Sequence, residues 1–164
     1  MIGRVLTQGY GPWAGGNTIL TLGYSPGVTL AIATISGTAT LGFTEAQVVS
    51  GGKTVIITLS GDTWVSGGAF DDTVRLAILQ GLDSNKSEAL GWNTIVRDTE
   101  VAAAVVRTSN TVVTITLSAA STYNITATET ITVTVPQSAM AASSAVTATP
   151  TFRVTPVTVE AVSG

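Results

Sequence analysis

Cysteine and histidine are both absent from this 164-residue sequence. Without cysteine there is no disulfide and no thiolate metal site. Without histidine the chain lacks the commonest general base and the commonest transition-metal ligand, and no Ser-His-Asp triad can be assembled. Composition leaves only a Ser–Lys pair open. Charge is scarce too. Charged residues make up 10% of the chain, against about 25% in an ordinary globular domain. The seven Lys and Arg are scattered and the net charge is −3, so no cationic patch exists to hold phosphates and no nucleic-acid partner is expected. No apolar run approaches the roughly 20 residues of a membrane span, so no membrane partner is expected. Met1 to Gly9 lack the apolar core of a secretion signal, which predicts a protein made in a cytoplasm and not exported by the general route.

Threonine alternating with aliphatic residues fills the space. Val55-Ile56-Ile57-Thr58-Leu59, Val113-Thr114-Ile115-Thr116-Leu117 and Ile131-Thr132-Val133-Thr134-Val135 show it best. A period of two sends one residue set inward and the other outward along a strand, and β-branched residues suit that surface. The expected core is Val55, Ile57, Leu59, Val113, Ile115, Leu117, Ile131, Val133, Val135, Phe152 and Val154, with Thr132 and Thr134 outside. An uncharged hydroxyl surface is cheap to desolvate and suits a protein whose faces are covered by neighbours. The pattern predicts a β-sandwich built to bind or assemble.

In chain order, residues 5–12 (Val-Leu-Thr-Gln-Gly-Tyr-Gly-Pro) are echoed at 19–26 (Ile-Leu-Thr-Leu-Gly-Tyr-Ser-Pro). Each copy is a short strand closed by a Gly-Tyr-x-Pro turn. Two copies are too few for a solenoid. They are expected to form either a hairpin on the chain's own domain or an arm reaching other subunits. As an arm, Leu6, Tyr10, Trp13, Leu20 and Tyr24 are the interface candidates, since Tyr combines a large apolar body with a polar tip. The division expected is an arm over 1–37, a sandwich over 38–155 and a tail over 156–164. Val28–Ser36 is an expected strand ahead of the sandwich. Within the sandwich, Glu45–Val49, Lys53–Leu59, Ile95–Val96, Val101–Thr108, Thr111–Leu117, Ile131–Val135 and Val146–Val154 are expected strands, with Trp64 in a further short one. Asp71–Leu82 is the one expected helix. Asp71 or Asp72 caps it, and Val74, Ala77, Ile78 and Leu82 form its apolar stripe.

The acidic residues Asp62, Asp71, Asp72, Asp83, Glu88, Asp98 and Glu100 crowd the middle of the chain without the spacing of a calcium loop. Helix capping and turns account for them. Nothing in the spacing selects a carboxylate pair for glycoside hydrolysis. No phosphate-binding glycine motif stands at a strand-to-helix join. No catalytic residue, metal or cofactor is expected.

The stretch Tyr123-Asn124-Ile125-Thr126-Ala127-Thr128-Glu129-Thr130-Ile131-Thr132-Val133-Thr134-Val135-Pro136 resembles the penultimate strand region of immunoglobulin-like domains, where a Tyr ties down the corner. More widely, Glu45 to Val154 resembles immunoglobulin-like domains of tailed-bacteriophage structural proteins. Gly51 to Leu59, Asp62 to Val65, Gly81 to Ser84, Val106 to Leu117 and Ala148 to Phe152 carry the likeness. The chain departs from antibody-type domains in lacking their Cys pair and in having a helix where those have a strand connection. The resemblance implies an all-β, immunoglobulin-like β-sandwich with one inserted helix and an extended N-terminal strand arm. It implies a non-enzymatic virion protein, assembled in the host cytoplasm, that binds the major capsid protein or other virion subunits in a homo-oligomer or symmetric assembly. Capsid cement or decoration protein is the leading expectation. A tail or neck protein is the alternative, as is a carbohydrate- or receptor-binding module using Trp13, Trp64 or Trp92. From a Tyr corner, the Tyr123 hydroxyl is expected to bond a nearby backbone group.

Overall fold

Eight strands and three short α-helices make up the fold in a computed structural model that describes residues 30–36, 39, 42–82, 91–99 and 104–157. The strands are β1 (Leu30–Ser36), β2 (Phe43–Thr44), β3 (Thr54–Ser60), β4 (Val105–Arg107), β5 (Val112–Thr116), β6 (Glu129–Thr132), β7 (Ala145–Val146) and β8 (Thr151–Thr155). The helices are α1 (Glu45–Ser50), α2 (Asp72–Gln80) and α3 (Trp92–Asp98). Strands dominate and fall in two sheets, ordered β4-β5-β3-β1-β7 and β2-β8-β6.

The period-two pattern sets the register of the larger sheet. β3 lies at its centre, antiparallel to β1 (Ala33 opposite Leu59, Ile35 opposite Ile57) and to β5 (Val55 opposite Ile115, Ile57 opposite Val113). Each of those pairs points to the same face, and that face is buried. All eleven expected core residues are buried, and Thr132 and Thr134 are exposed. The buried cluster also takes in Phe43, Trp64, Trp92, Tyr123 and Met140, so both sheets and the helices share one interior.

Helix α2 matches the expected one. Asp71 caps it by accepting from the Val74 N–H at 2.9 Å. Ile78 and Leu79 are buried, Leu82 just beyond is buried, and Val74 packs against the core.

Four expectations are corrected. Glu45–Val49 is not a strand but most of α1. Thr44 and Gln47 form a capping box at its start, which satisfies two free backbone N–H groups and favours a helix over an edge strand. Ile95–Val96 is likewise helical, inside α3, because Trp92, Ile95 and Val96 on that helix all bury their side chains. Val146–Val154 is not one strand. It divides into β7, which joins the larger sheet parallel to β1, and β8, which joins the smaller one. Pro150 has no N–H to continue a ladder and breaks the run just before β8. Trp64 contributes only a single antiparallel bridge to Met140. Of the Val101–Thr108 stretch, residues 105–107 form β4 and 101–103 lie outside the described residues.

Leu30–Ser36 falls within the span assigned to the arm, yet β1 pairs with β3 from Ile32 to Ser36 and buries Ala31 and Ala33. The rest of the arm, residues 1–29, and the tail from 158 lie outside the described residues. Gly51 shows how tightly the helix and sheet elements join. Its φ is +68°, and a Cβ there would collide with the Ala119 backbone nitrogen, so only glycine can close α1.

Register predicts how neighbouring substitutions differ. Ile57→Ala should cost about 2–5 kcal/mol in urea denaturation, since it empties the sealed interior. Ile56→Ala, one residue away on the opposite face, should cost less than about 1.5 kcal/mol. Equal losses would contradict the register.

Candidate assembly face

The residues that alternate with the core define the outer face of the larger sheet. Register aligns them in rows. Ser36, Ile56, Thr114 and Val106 run across one row, and Thr34, Thr58 and Val112 across the next. Leu30 and Ile32 extend the face along β1 at 57% and 48% exposure, and Val106 on β4 is 47% exposed. No outward residue of β1, β3, β4 or β5 carries a charge. The smaller sheet differs: its outward residues on β8 include Arg153, flanked by Thr151 and Thr155. An uncharged face of hydroxyls and branched aliphatics loses less on dehydration than a charged one, and its methyl groups gain from contact. It can bind a complementary protein surface. It holds no nucleophile–base pair and no ligand cluster for chemistry.

Behind that face, two carboxylates fasten the loops. Glu129, at the start of β6, accepts from the Trp92 backbone N–H at 3.0 Å and from the Tyr123 hydroxyl at 2.8 Å, both on Oε2. One oxygen therefore joins β6, the first turn of α3 and the corner before β6. The α3 start suits a negative charge, because its first N–H groups lack helical partners. It also places the Trp92 ring in a cluster with Phe43 and Phe152, at centroid distances of 6.2 and 5.2 Å. Burial pushes the Tyr123 hydroxyl well above the usual tyrosine range. The hydrogen bond to Glu129 and the charges of Glu129 and Glu45 push the same way. Tyr123 thus stays protonated and donates.

Asp62 does the same work at the turn after β3. It accepts from the N–H groups of Thr63 (2.7 Å), Ala142 (3.1 Å) and Ser144 (3.2 Å). Burial raises its carboxyl, but the adjacent Ser144 hydroxyl and the backbone donors outweigh this and hold it below the ordinary carboxylate value.

The structure revises the expected sites. The Tyr123 hydroxyl, expected to bond a backbone group, bonds the Glu129 carboxylate instead; the sequence signal was Glu129 itself, six residues on. Trp64 and Trp92 are 1% and 2% exposed, so neither presents a ring to a sugar. Leu6, Tyr10, Trp13, Leu20 and Tyr24 lie outside the described residues. Of the acidic residues with described side chains, Asp71 caps α2, Asp72 pairs with Arg75 at 2.9 Å and Asp62 holds backbone. Among the described residues no three metal-ligating side chains converge, and no helix is long and apolar enough to cross a membrane. The outer face itself was written in the same alternation as the core, in the residues of opposite parity.

Two outcomes follow. Tyr123→Phe should lower stability by about 1–3 kcal/mol in chemical denaturation, because it removes a hydrogen bond from a buried hydroxyl to a carboxylate and leaves Glu129 Oε2 only the Trp92 N–H; no loss would remove this bond from the anchoring role of Glu129. The Asp62 contribution is fully present above the unfolded-state value near 4 and is lost as pH falls through the lower folded-state value. The stability gap between the native chain and Asp62→Asn should therefore narrow on acidification below about pH 4, as read from melts across pH. A gap that widens there would contradict the assignment. No family model, curated protein or solved structure matches the chain.

Proposed function

We propose that this chain is a non-enzymatic structural subunit of a virion, most simply a cement or decoration protein that binds the major capsid protein and its own neighbours. The observation that carries the reading is the charge-free outer face of the larger sheet, with Leu30, Ile32 and Val106 exposed on it. Exposed aliphatics on an uncharged, paired sheet suit a covered surface better than a solvated one. The two buried Trp rings weigh against the carbohydrate-binding alternative, leaving only Trp13 for it.

Strand connectivity supports an immunoglobulin-like sandwich within this reading. The order β1-β3-β5-β4 corresponds to the A-B-E-D sheet of such domains, and β6-β8 to their F-G pair. Helices α2 and α3 occupy the stretch of chain where strand C runs in those domains. Tyr123 stands just before the F-equivalent strand, as a corner tyrosine does.

The test is physical association with particles. Antibody raised to the chain should detect it in density-purified virions from its source, co-migrating with the major capsid protein. A signal in the neck or tail fraction would move the protein to that position, and its absence from particles would overturn the reading. Deleting residues 1–27 should leave a folded, soluble chain that no longer joins particles. Undiminished joining would place the whole interface on the sheet, and an unfolded product would make the segment part of the domain.

A further inference from the structure

The free edge of β1 stands out among the sheet edges. Among the described residues its only partner on that side is β7, and only at Leu30 and Ala31. The Thr147 N–H donates to the Ala31 carbonyl at 3.0 Å, so Ala31 turns its backbone groups toward β7. Alternation turns those of Ala33 and Ile35 the same way. Leu59, opposite Ala33, agrees: its N–H goes to the Thr111 carbonyl on the other side. Beyond β7, the N–H and C=O groups of Ala33 and Ile35 therefore line an edge that no described strand completes.

Edges of this kind are normally blunted by charge, proline or shortness. The other edges are. β2 and β7 have two residues each, β4 has three and ends in Arg107, and β6 begins with Glu129. β1 has seven, Leu-Ala-Ile-Ala-Thr-Ile-Ser, with no charge and no proline. Its two exposed aliphatics, Leu30 and Ile32, adjoin the open stretch.

We infer that this edge accepts a strand from a second copy of the chain, namely residues 18–22, Thr-Ile-Leu-Thr-Leu. This deepens the assembly reading and rests on it. The segment repeats the Thr/aliphatic alternation of the strands already in the sheet. Its counterpart in the first repeat, Arg4-Val5-Leu6-Thr7-Gln8, carries a charge that the edge has nothing to meet. Main-chain hydrogen bonds supply the attraction and alternate side chains the selectivity. A second copy fits better than the chain's own segment because β7 lies beside Leu30 and Ala31. It stands between the point where the chain enters β1 and the open stretch. Each copy offers one edge and one segment, so the contact propagates head to tail and closes only if the rotation allows a ring.

The test uses the full chain in sedimentation velocity, with amide exchange read at Ala33 and Ile35. The chain should self-associate with concentration, and those two amides should become protected as it does. Thr21→Pro removes a donor from the incoming strand, and Ile35→Pro removes one from the edge, where proline is tolerated. Each should weaken self-association at least about tenfold. An equimolar mixture should regain one contact and stop at a heterodimer, because one variant keeps only the edge and the other only the segment. Should Ile35→Pro unfold, Thr21→Pro and the exchange data decide alone. Unchanged association in Thr21→Pro would overturn the inference. So would a monomer at every concentration, whether Ala33 and Ile35 are unprotected or protected by the chain's own segment. A chain that joins particles without self-associating sinks this inference and spares the assembly reading; self-association through the edge without particle binding does the reverse.

Discussion

Everything in this protein depends on the parity of three neighbouring strands. β1, β3 and β5 place Ala33, Leu59, Ile57, Val55, Val113 and Ile115 on one face, all buried. A slip of one residue would turn Thr and Ser into the interior and every one of these side chains outward. The cost would fall wherever Thr or Ser replaced an aliphatic, and would be smaller where Ile32, Ile56 or Val112 turned inward. The same parity fixes what the molecule shows to its surroundings. With the aliphatics committed inward, the outer face receives threonine, serine and the few aliphatics left over.

The two carboxylate anchors take on the work that strand pairing cannot do. Helices α2 and α3 interrupt the alternation between β3 and β4, and the chain must return to complete the smaller sheet. Glu129 catches α3 and the corner at Tyr123; Asp62 catches the loop before β7. Both accept from backbone N–H groups, and Glu129 from the Tyr123 hydroxyl as well. Leu30, Ile32 and Val106 stay exposed on the outer side of the larger sheet. The proposed assembly role rests on surface character: an uncharged face and an uncharged edge, on a chain with few charges.

Legibility in the sequence followed locality. Strands β3 and β5 were readable because Thr and aliphatic residues alternate through them, and β8 because Phe152 and Val154 share one parity; of the expected strand Ile131–Val135 only Ile131 and Thr132 lie in β6, which begins earlier, at Glu129. Helix α2 was readable because Asp71 precedes an apolar stripe. Helix α1 was hidden by Val48 and Val49, whose β-branching favours strands, although Thr44 and Gln47 already spelled a capping box. Helix α3 carries no capping side chain, and β-branched Thr94, Ile95 and Val96 argue locally against a helix. Burial of Trp92 and its bond to Glu129, 37 residues away, decide the matter, and no local pattern records them. The parallel pairings β1 with β7 and β2 with β8 join segments more than 100 residues apart, and neither could be read from either partner alone. Of the candidate site, the outer face was present in the alternation, but the open edge of β1 emerged only once β7 was seen to end after two residues.

Cryo-electron microscopy of the native assembly tests the central claim most directly. The account predicts that neighbouring protein density covers the outer face of the larger sheet, touching Leu30, Ile32 and Val106. The Arg153 face of the smaller sheet should be the more solvated one. An assembly in which the larger sheet faces solvent and all contacts run through the smaller sheet would contradict it.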